Sequence, residues 1–525
     1  MSTQPVVRPH GSLVRGITLS PASQLFAGPF GRMFRALPPA EFGASEHQTL
    51  HALHRLAEAM VSPRDSRDPK DEADNEESGI PAAFTYFGQF VDHDLTFDPA
   101  SSLQKQNDPD ALVDYRTPRF DLDNIYGRGP DDQPYMYLSD GATFKRGEPL
   151  TGGAGNATAT DLVRSPGPPD KPQEHRAIIG DPRNDENVIV SQFQGIVHRF
   201  HNKVVADLQL QGLPSSKCFT MAQQIVRFHY QWILINDFLP RVVSDGPLHA
   251  VLPHLAAGTD PHTDKPVLEF YKAEKFAFMP LEFSAAAYRF GHSMVRPGYR
   301  LNANTLLPIF TENPVAKPSL TGFRKFPDTW AIDWNKFLPI DTRPSGSDTA
   351  GDPDNLLRMQ LAYRMDTSLV DPLKLLPEVA FGRPIPSLAE RNLLRGWRMR
   401  LPSGQDVARA MGVVPLEDQD VLIGKFDTGD ATDVKGPITT FGAVFTDNCP
   451  LWTYVLAETV QDPHDPRTRK LGPVGGRIVM ETFVGILLAD NSSYFSMNPL
   501  WKPTTYAENG VFGLRELVKV ALSEA

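Results

Sequence analysis

Forty-eight prolines punctuate the 525 residues of this chain. Each fixes φ and removes a backbone donor, so helices must start or stop around it. Only certain windows are free of proline and repeat apolar residues at the helical spacing. They are Glu46–Val61 (Leu50, Leu53, Leu56, Met60), Asn187–Leu210 (Val188, Phe193, Ile196, Val197, Phe200, Val204, Leu208), Met221–Phe238 and, shorter, Ser284–Met294. Further helices are expected at Asp354–Asp366, Ser387–Arg398, Gly404–Met411, Trp452–Thr459, Gly476–Ala489 and Leu514–Ala525. Strand signals are few and short. Between these windows run a charged loop at 62–78 and weakly periodic stretches at 100–120, 127–177 and 312–356. Loops this long in a compact domain tend to carry function or wrap the surface. The expectation is a mainly α protein, with residues 1–75 an N-terminal arm and flanking helix, and 76–525 one large domain with long loops.

Composition closes off several classes. Hydrophobic residues at 41% and charged residues at 22% are a globular balance. Lys and Arg number 52 against 63 Asp and Glu, for a net charge of −11. Without a basic block, nucleic-acid binding is not expected. No apolar run approaches the ~18 residues of a membrane span. The nearest, Ile478–Ala489, carries Glu481 and reads as a buried helix. The start, Met1 to His10, has no apolar core of signal-peptide length, so Sec-type export is not expected and the location stays open. The two cysteines, Cys218 and Cys449, are too few for a disulfide framework and read as buried thiols.

Five segments concentrate chemistry. In Phe87-Gly-Gln-Phe-Val-Asp-His-Asp-Leu-Thr96, a helix puts Gln89, Asp92 and His93 on one face and turns Asp94 away. In Arg116-Thr-Pro-Arg-Phe-Asp-Leu-Asp-Asn-Ile-Tyr-Gly127, Thr117, Asp121 and Asp123 are spaced like a loop of hard oxygen donors, which suits calcium. Gly180-Asp-Pro-Arg-Asn-Asp-Glu186 precedes the Asn187 helix, with Arg183 and Glu186 three apart. In Tyr288-Arg-Phe-Gly-His-Ser-Met-Val-Arg-Pro297, Arg289 and His292 fall on one side, and Gly291 lets a bulky group approach. The fifth, Arg391 to Pro402, sets Asn392 and Arg395 three apart. Each alone also reads as ordinary structure: a polar cap, an acidic turn, a surface ion pair. His198 and His201, three apart on the Asn187 helix, read as core histidines, because no third metal ligand is signalled near them.

In order, from about residue 80 to 410, these five segments resemble the animal (mammalian-type) haem peroxidases of the peroxidase–cyclooxygenase superfamily. The resemblance implies a haem b cofactor, ester-linked at Asp92 and Glu186, and a bound calcium. His93 matches the distal histidine, Gln89 the distal glutamine and Arg183 the distal arginine. His292 matches the iron ligand, and Asn392 the asparagine that accepts its ring N–H. Arg289 and Arg395 match arginines near the haem propionates. Asp94, Thr117, Arg119 (through its carbonyl), Asp121 and Asp123 match the calcium positions.

The residue types suit that chemistry. Neutral His93 can take a proton from one peroxide oxygen and return it to the other, and Arg183 stabilises the charge that develops. The implied activity is reduction of hydrogen peroxide with oxidation of iodide, thiocyanate, bromide or small phenols, by a monomer. Three positions depart from the animal enzymes. Asp123 stands where a hydroxyl residue is usual. Asn187 stands where the chloride-oxidising enzyme has a haem-linked methionine, which implies little chloride oxidation. Arg289 occupies the place where fatty-acid dioxygenases carry a radical-forming tyrosine, with Tyr288 one residue further back. A haem-dependent fatty-acid dioxygenase and a non-catalytic haem- or calcium-binding adhesion scaffold are the alternatives. The complete set of His93, Arg183, His292 and Asn392 argues against the scaffold.

Overall fold

The computed structural model describes residues 30–62, 65, 76–96, 116, 118–152, 158–167, 169, 175–256, 264–273, 276–311, 318–341, 358–376, 385–425, 434–461 and 468–524. The longer helices are α1 (Glu46–Ala59), α2 (Ala83–Leu95), α3 (Val188–Leu210), α4 (Ser215–Ile233), α5 (Leu388–Arg398), α6 (Leu451–Val460), α7 (Pro473–Ala489) and α8 (Leu514–Leu522). The strands, β1 (Phe30–Gly31), β2 (Glu77–Pro81), β3 (Met279–Pro280), β4 (Gly298–Arg300), β5 (Leu306–Pro308), β6 (Leu361–Tyr363), β7 (Leu422–Gly424) and β8 (Val434–Pro437), form four separate two-stranded pairs. The fold is mainly α, as the proline-bounded windows predict.

Helix starts follow local chemistry. Ser45 caps α1 by accepting from the Gln48 N–H, Asn187 caps α3 from Ile189 and Val190, and Ser387 caps α5 from Glu390. The apolar stripes then meet in one core. Leu53 and Leu56 of α1, Phe87 and Phe90 of α2, Phe193 and Phe200 of α3, and Ile478 and Phe483 of α7 are all buried in it. Phe30 and Phe34, from the segment read as an arm, are buried in the same core. Both cysteines are buried free thiols.

Two expectations over element type change. The apolar periodicity at Asp354–Asp366 predicts a helix, yet its described part holds strand β6, antiparallel to β2. Side chains buried on both faces of a short strand look like one face of a helix in sequence. The window Ser284–Met294 does not form one α-helix. A helical turn at Leu281–Ser284 leads into a 3₁₀ segment at Ala287–His292. A 3₁₀ helix repeats every third residue, so Arg289 and His292 still share a side. Among the described residues, no helix is long and apolar enough to cross a membrane.

Candidate functional site

Helix α2 packs on α3 and faces the 3₁₀ segment that carries His292. Between them opens a cavity of about 740 Å³. Gln89, Asp92 and His93 line it from α2, Arg183, Glu186 and Asn187 from the turn before α3, and Arg289, Gly291 and His292 from the opposite wall. Arg395 of α5 also lines it. Helical spacing predicts only that Gln89, Asp92 and His93 share a face and that Arg289 and His292 share a side; the tertiary packing brings all of these residues to one space.

On the α2 side, His93 is buried. Its Nδ1 lies 2.7 Å from Asn184 Oδ1. Its Nε2 lies 3.5 Å from Glu186 Oε1, at the outer limit of hydrogen-bond range. Gln89 Nε2 donates to Glu186 and Gln89 Oε1 accepts from Asn187 at 3.0 Å, so the amide at the cavity mouth is oriented from both ends. Asp92 accepts from the Thr96 hydroxyl at 3.0 Å. Arg183 does not pair with Glu186, three residues away. Its Nη2 donates to the His93 carbonyl at 2.9 Å and to Asp181 at 2.8 Å. Burial would raise the Asp181 carboxyl, but Arg116 and Arg183 together hold it well below the usual carboxylate range.

On the opposite wall, His292 is half-buried and faces the cavity. Burial, with Arg289 beside it, pushes its imidazole down to about 3, so the ring is neutral and keeps a lone pair. Its Nδ1 lies 2.9 Å from Asn392, but the amide nitrogen faces it. The Asn392 oxygen accepts from Arg289 Nη1 at 3.0 Å. Acceptance of the ring N–H by Asn392, as the resemblance implies, therefore requires the opposite amide orientation. The physical reason for the difference is that a guanidinium only donates and so claims the amide oxygen. A Cβ added at Gly291 would meet no neighbouring atom within 4 Å, so the backbone there borders open cavity.

Behind His93 lies the acidic loop. The carboxylates of Asp94, Asp121 and Asp123 bring ligand atoms within 4.8 Å of one another. Asp94 is fully buried, and neither of its oxygens meets a hydrogen-bond donor at bonding geometry. Burial, then Asp121 and Asp123, push its carboxyl well above the carboxylate range. Asp123 is raised to about 6 by burial, against the pull of Arg116. Leu122, between the two loop carboxylates, adopts φ 58°, which a leucine rarely does. Two carboxylates of a strained loop converging with Asp94 of α2 fit a hard divalent cation with oxygen ligands. Arg119 lies on the same loop with its side chain exposed, and Thr117 lies outside the described residues.

Sequence reasoning missed the groups that tie these parts together. Arg116 pairs with Asp123 at 3.0 Å and with Asp181, joining the acidic loop to the Arg183 turn. Gly180 is needed there: a Cβ would stand 2.5 Å from the Asp123 carbonyl. Arg164 clamps Asp185 with two hydrogen bonds, at 2.8 and 2.9 Å. Asp181, Asn184 and Arg116 each lie close in sequence to a singled-out residue, which is a usable signal. Arg164 carries none.

Residues 103–324 match the animal haem peroxidase family. Over that stretch the chain is similar to an animal haem peroxidase domain. It is 28% identical over 256 residues to a peroxidase-like protein of Margaritifera margaritifera, a stretch covering 40% of this chain and 31% of that protein. It is 30% identical over 152 residues to the dual oxidase of Drosophila melanogaster, covering 28% of this chain and 8% of that one. The chain thus spans about a third or less of the length of these curated relatives. Peroxidase A from Dictyostelium discoideum superposes with a TM-score of 0.56 at 16% identity, covering 95% of this chain and 94% of its own. The fatty acid alpha-dioxygenase of Oryza sativa gives 0.54 at 13%, covering 93% and 78%. At these identities the two structures show the fold alone. His93, Asp94, Asn392 and Arg395 lie outside the matched stretch, and their placement rests on the geometry above.

Proposed function

We propose that this chain binds haem b in the cavity, reduces hydrogen peroxide there and oxidises small anionic or phenolic donors. The observation that carries the reading is the facing arrangement across one cavity. A histidine and an arginine stand on the α2 side, and a neutral, half-buried histidine stands opposite. The cavity is roomy and partly apolar, and Arg289 and Arg395 on its wall suit carboxylate groups. Haem, held at its iron by His292 and at its propionates by Arg289 and Arg395, would supply the redox centre that accepts the oxidising equivalents of peroxide.

The protein supplies the rest. His93 Nε2 takes the proton from the peroxide oxygen nearer the cofactor and returns it to the departing oxygen. Arg183, always charged and fixed by Asp181, stabilises negative charge as the O–O bond opens. Gln89, oriented by Glu186 and Asn187, offers a polar contact to a small anion or a water beside His93.

Asp92 and Glu186 border the cavity from different elements, and we assign them the two ester links to haem methyls. Asn187 has no sulfur and so provides no third link of that kind; its side chain binds Gln89 and caps α3 instead. Purified protein loaded with haem should show peroxide-dependent oxidation of iodide, thiocyanate, bromide and small phenols, with little of chloride. After peroxide treatment, acid–butanone should leave the haem on the polypeptide, and mass spectrometry should place it on Asp92 and Glu186. Freely extractable haem refutes the esters, and absence of turnover with every donor refutes the peroxidase. Oxygen uptake with linoleate without added donor would favour a dioxygenase. Against that alternative, the residue three before His292 is Arg289, while the Tyr288 hydroxyl donates to the Gly88 carbonyl at 3.2 Å.

Calcium is assigned to Asp94, Asp121 and Asp123, with Thr117 and the Arg119 carbonyl as further ligands. Binding to the native state alone, at about a hundredfold over its dissociation constant, adds ~2.7 kcal/mol of stability. Melting temperature should therefore rise with calcium. In Asp94→Ala that rise should vanish, with calcium content reduced by elemental analysis. Equal calcium content in variant and parent overturns the assignment.

A further inference from the structure

The contact between His93 and Asn184 is the first of a directed series running away from the cavity. Asn184 Nδ2 donates to Gln194 Oε1 at 2.7 Å, and Gln194 Nε2 lies 3.0 Å from His198 Nε2. His93, Asn184, Gln194 and His198 are all buried. A primary amide accepts at one end and donates at the other, so orienting one amide orients the series. Gln194 is oriented from outside it. Its Nε2 also faces the backbone carbonyl of Asn124 at 3.5 Å, an atom that only accepts. The reversed amide would set oxygen against oxygen there.

From that anchor each polarity follows. The Gln194 nitrogen donates to His198, its oxygen accepts from Asn184, and the Asn184 oxygen must accept a proton from His93 Nδ1. His198 must then be neutral with its lone pair on Nε2. Burial, with His201 nearby, pushes it down to about 3, and Phe144 stacks on its ring at 4.1 Å. With the His93 proton on Nδ1, the lone pair sits on Nε2, the nitrogen nearer the cavity carboxylate Glu186. Free neutral imidazole prefers the opposite tautomer, which would turn a donor toward the peroxide instead of a base.

We infer that Asn184, Gln194 and His198 form a polar relay that sets the tautomer of His93, holding its proton on Nδ1 and its lone pair on Nε2. They are positioning residues: none touches the reacting atoms. The inference deepens the peroxidase reading and takes its purpose from it, but the tautomer itself is measurable without haem.

The test is nitrogen NMR of the full chain, haem-free, carrying isotopically labelled histidine in alkaline buffer, with the His93 signal assigned by comparison with His93→Gln. The parent should show His93 in the Nδ1–H form. Asn184→Leu, which removes the acceptor, should shift it to the Nε2–H form or a mixture. Asn184→Asp, which keeps an acceptor, should retain Nδ1–H. Gln194→Met, which frees the Asn184 amide to turn, should give a mixture. With haem loaded, Asn184→Leu should lose about tenfold or more in peroxide turnover at unchanged haem content. An Nε2–H tautomer in the parent overturns the relay, as does an unaltered Nδ1–H form in the folded variants. If Asn184→Leu does not fold, Gln194→Met decides alone: a mixture supports the relay and a pure Nδ1–H form overturns it. Absence of peroxidase turnover in the haem-loaded parent would instead remove the proposed function and leave the tautomer result standing.

Discussion

Replacing His292 with alanine should cost the most. The Ala287–His292 segment carries the histidine on its wall of the cavity, and the ring is neutral; with the Asn392 amide turned to accept the Nδ1–H, Nε2 is the ligand atom. Loss of a partner beyond the ligand sphere typically costs 10–100-fold in metal affinity or activity, so loss of the ligand itself should exceed about a hundredfold in peroxide-dependent iodide oxidation. Haem content, read as the haem-to-protein absorbance ratio, should fall as well. Any haem that stays should do so through esters at Asp92 and Glu186, and should be released in the triple variant His292→Ala, Asp92→Ala, Glu186→Ala. Wild-type-like turnover in His292→Ala would end the assignment of this residue as the iron ligand.

The second large effect separates binding from chemistry. His93→Ala should load haem normally, because the ligand wall is untouched, and should slow the reaction with peroxide by about 10²–10⁴-fold, the usual worth of a positioned general acid–base. Stopped-flow mixing of the haem-loaded protein with peroxide reads this directly. The donor-oxidation step, measured after a long peroxide preincubation, should change far less. An unchanged rate with peroxide would show that another group moves the proton. Because Arg183 Nη2 donates to the His93 backbone carbonyl, which the alanine variant keeps, the arginine should remain in place in this comparison.

Much of the site is readable along the chain because its residues sit at helical spacings on single elements. Gln89, Asp92 and His93 follow the 3.6-residue repeat of α2, and Arg289 and His292 share a side under either helical geometry. Asp94 turns away from the cavity for the same reason, and it ends in the acidic loop rather than beside peroxide. The helix boundaries follow too, since Ser45, Asn187 and Ser387 are capping residues with local partners. The helix expected over Asp354–Asp366 gives way to β6 because apolar residues packed on both faces hide the two-residue period, and only pairing with β2 decides the element.

Sequence alone settled much of the local geometry: most of the helical segments and which polar side chains share a face on them. Only the tertiary structure decided which partner each of those groups meets. Asn184 reaches His93 across 91 positions, and Arg116 reaches Asp181 across 65. Both contacts exist because α2, the acidic loop and the turn before α3 pack against one another, with Gly180 permitting the close approach. Local periodicity encodes direction from an axis. A hydrogen bond or ion pair between distant segments depends on how two axes are placed relative to each other, and that placement comes from burying their apolar faces in one core.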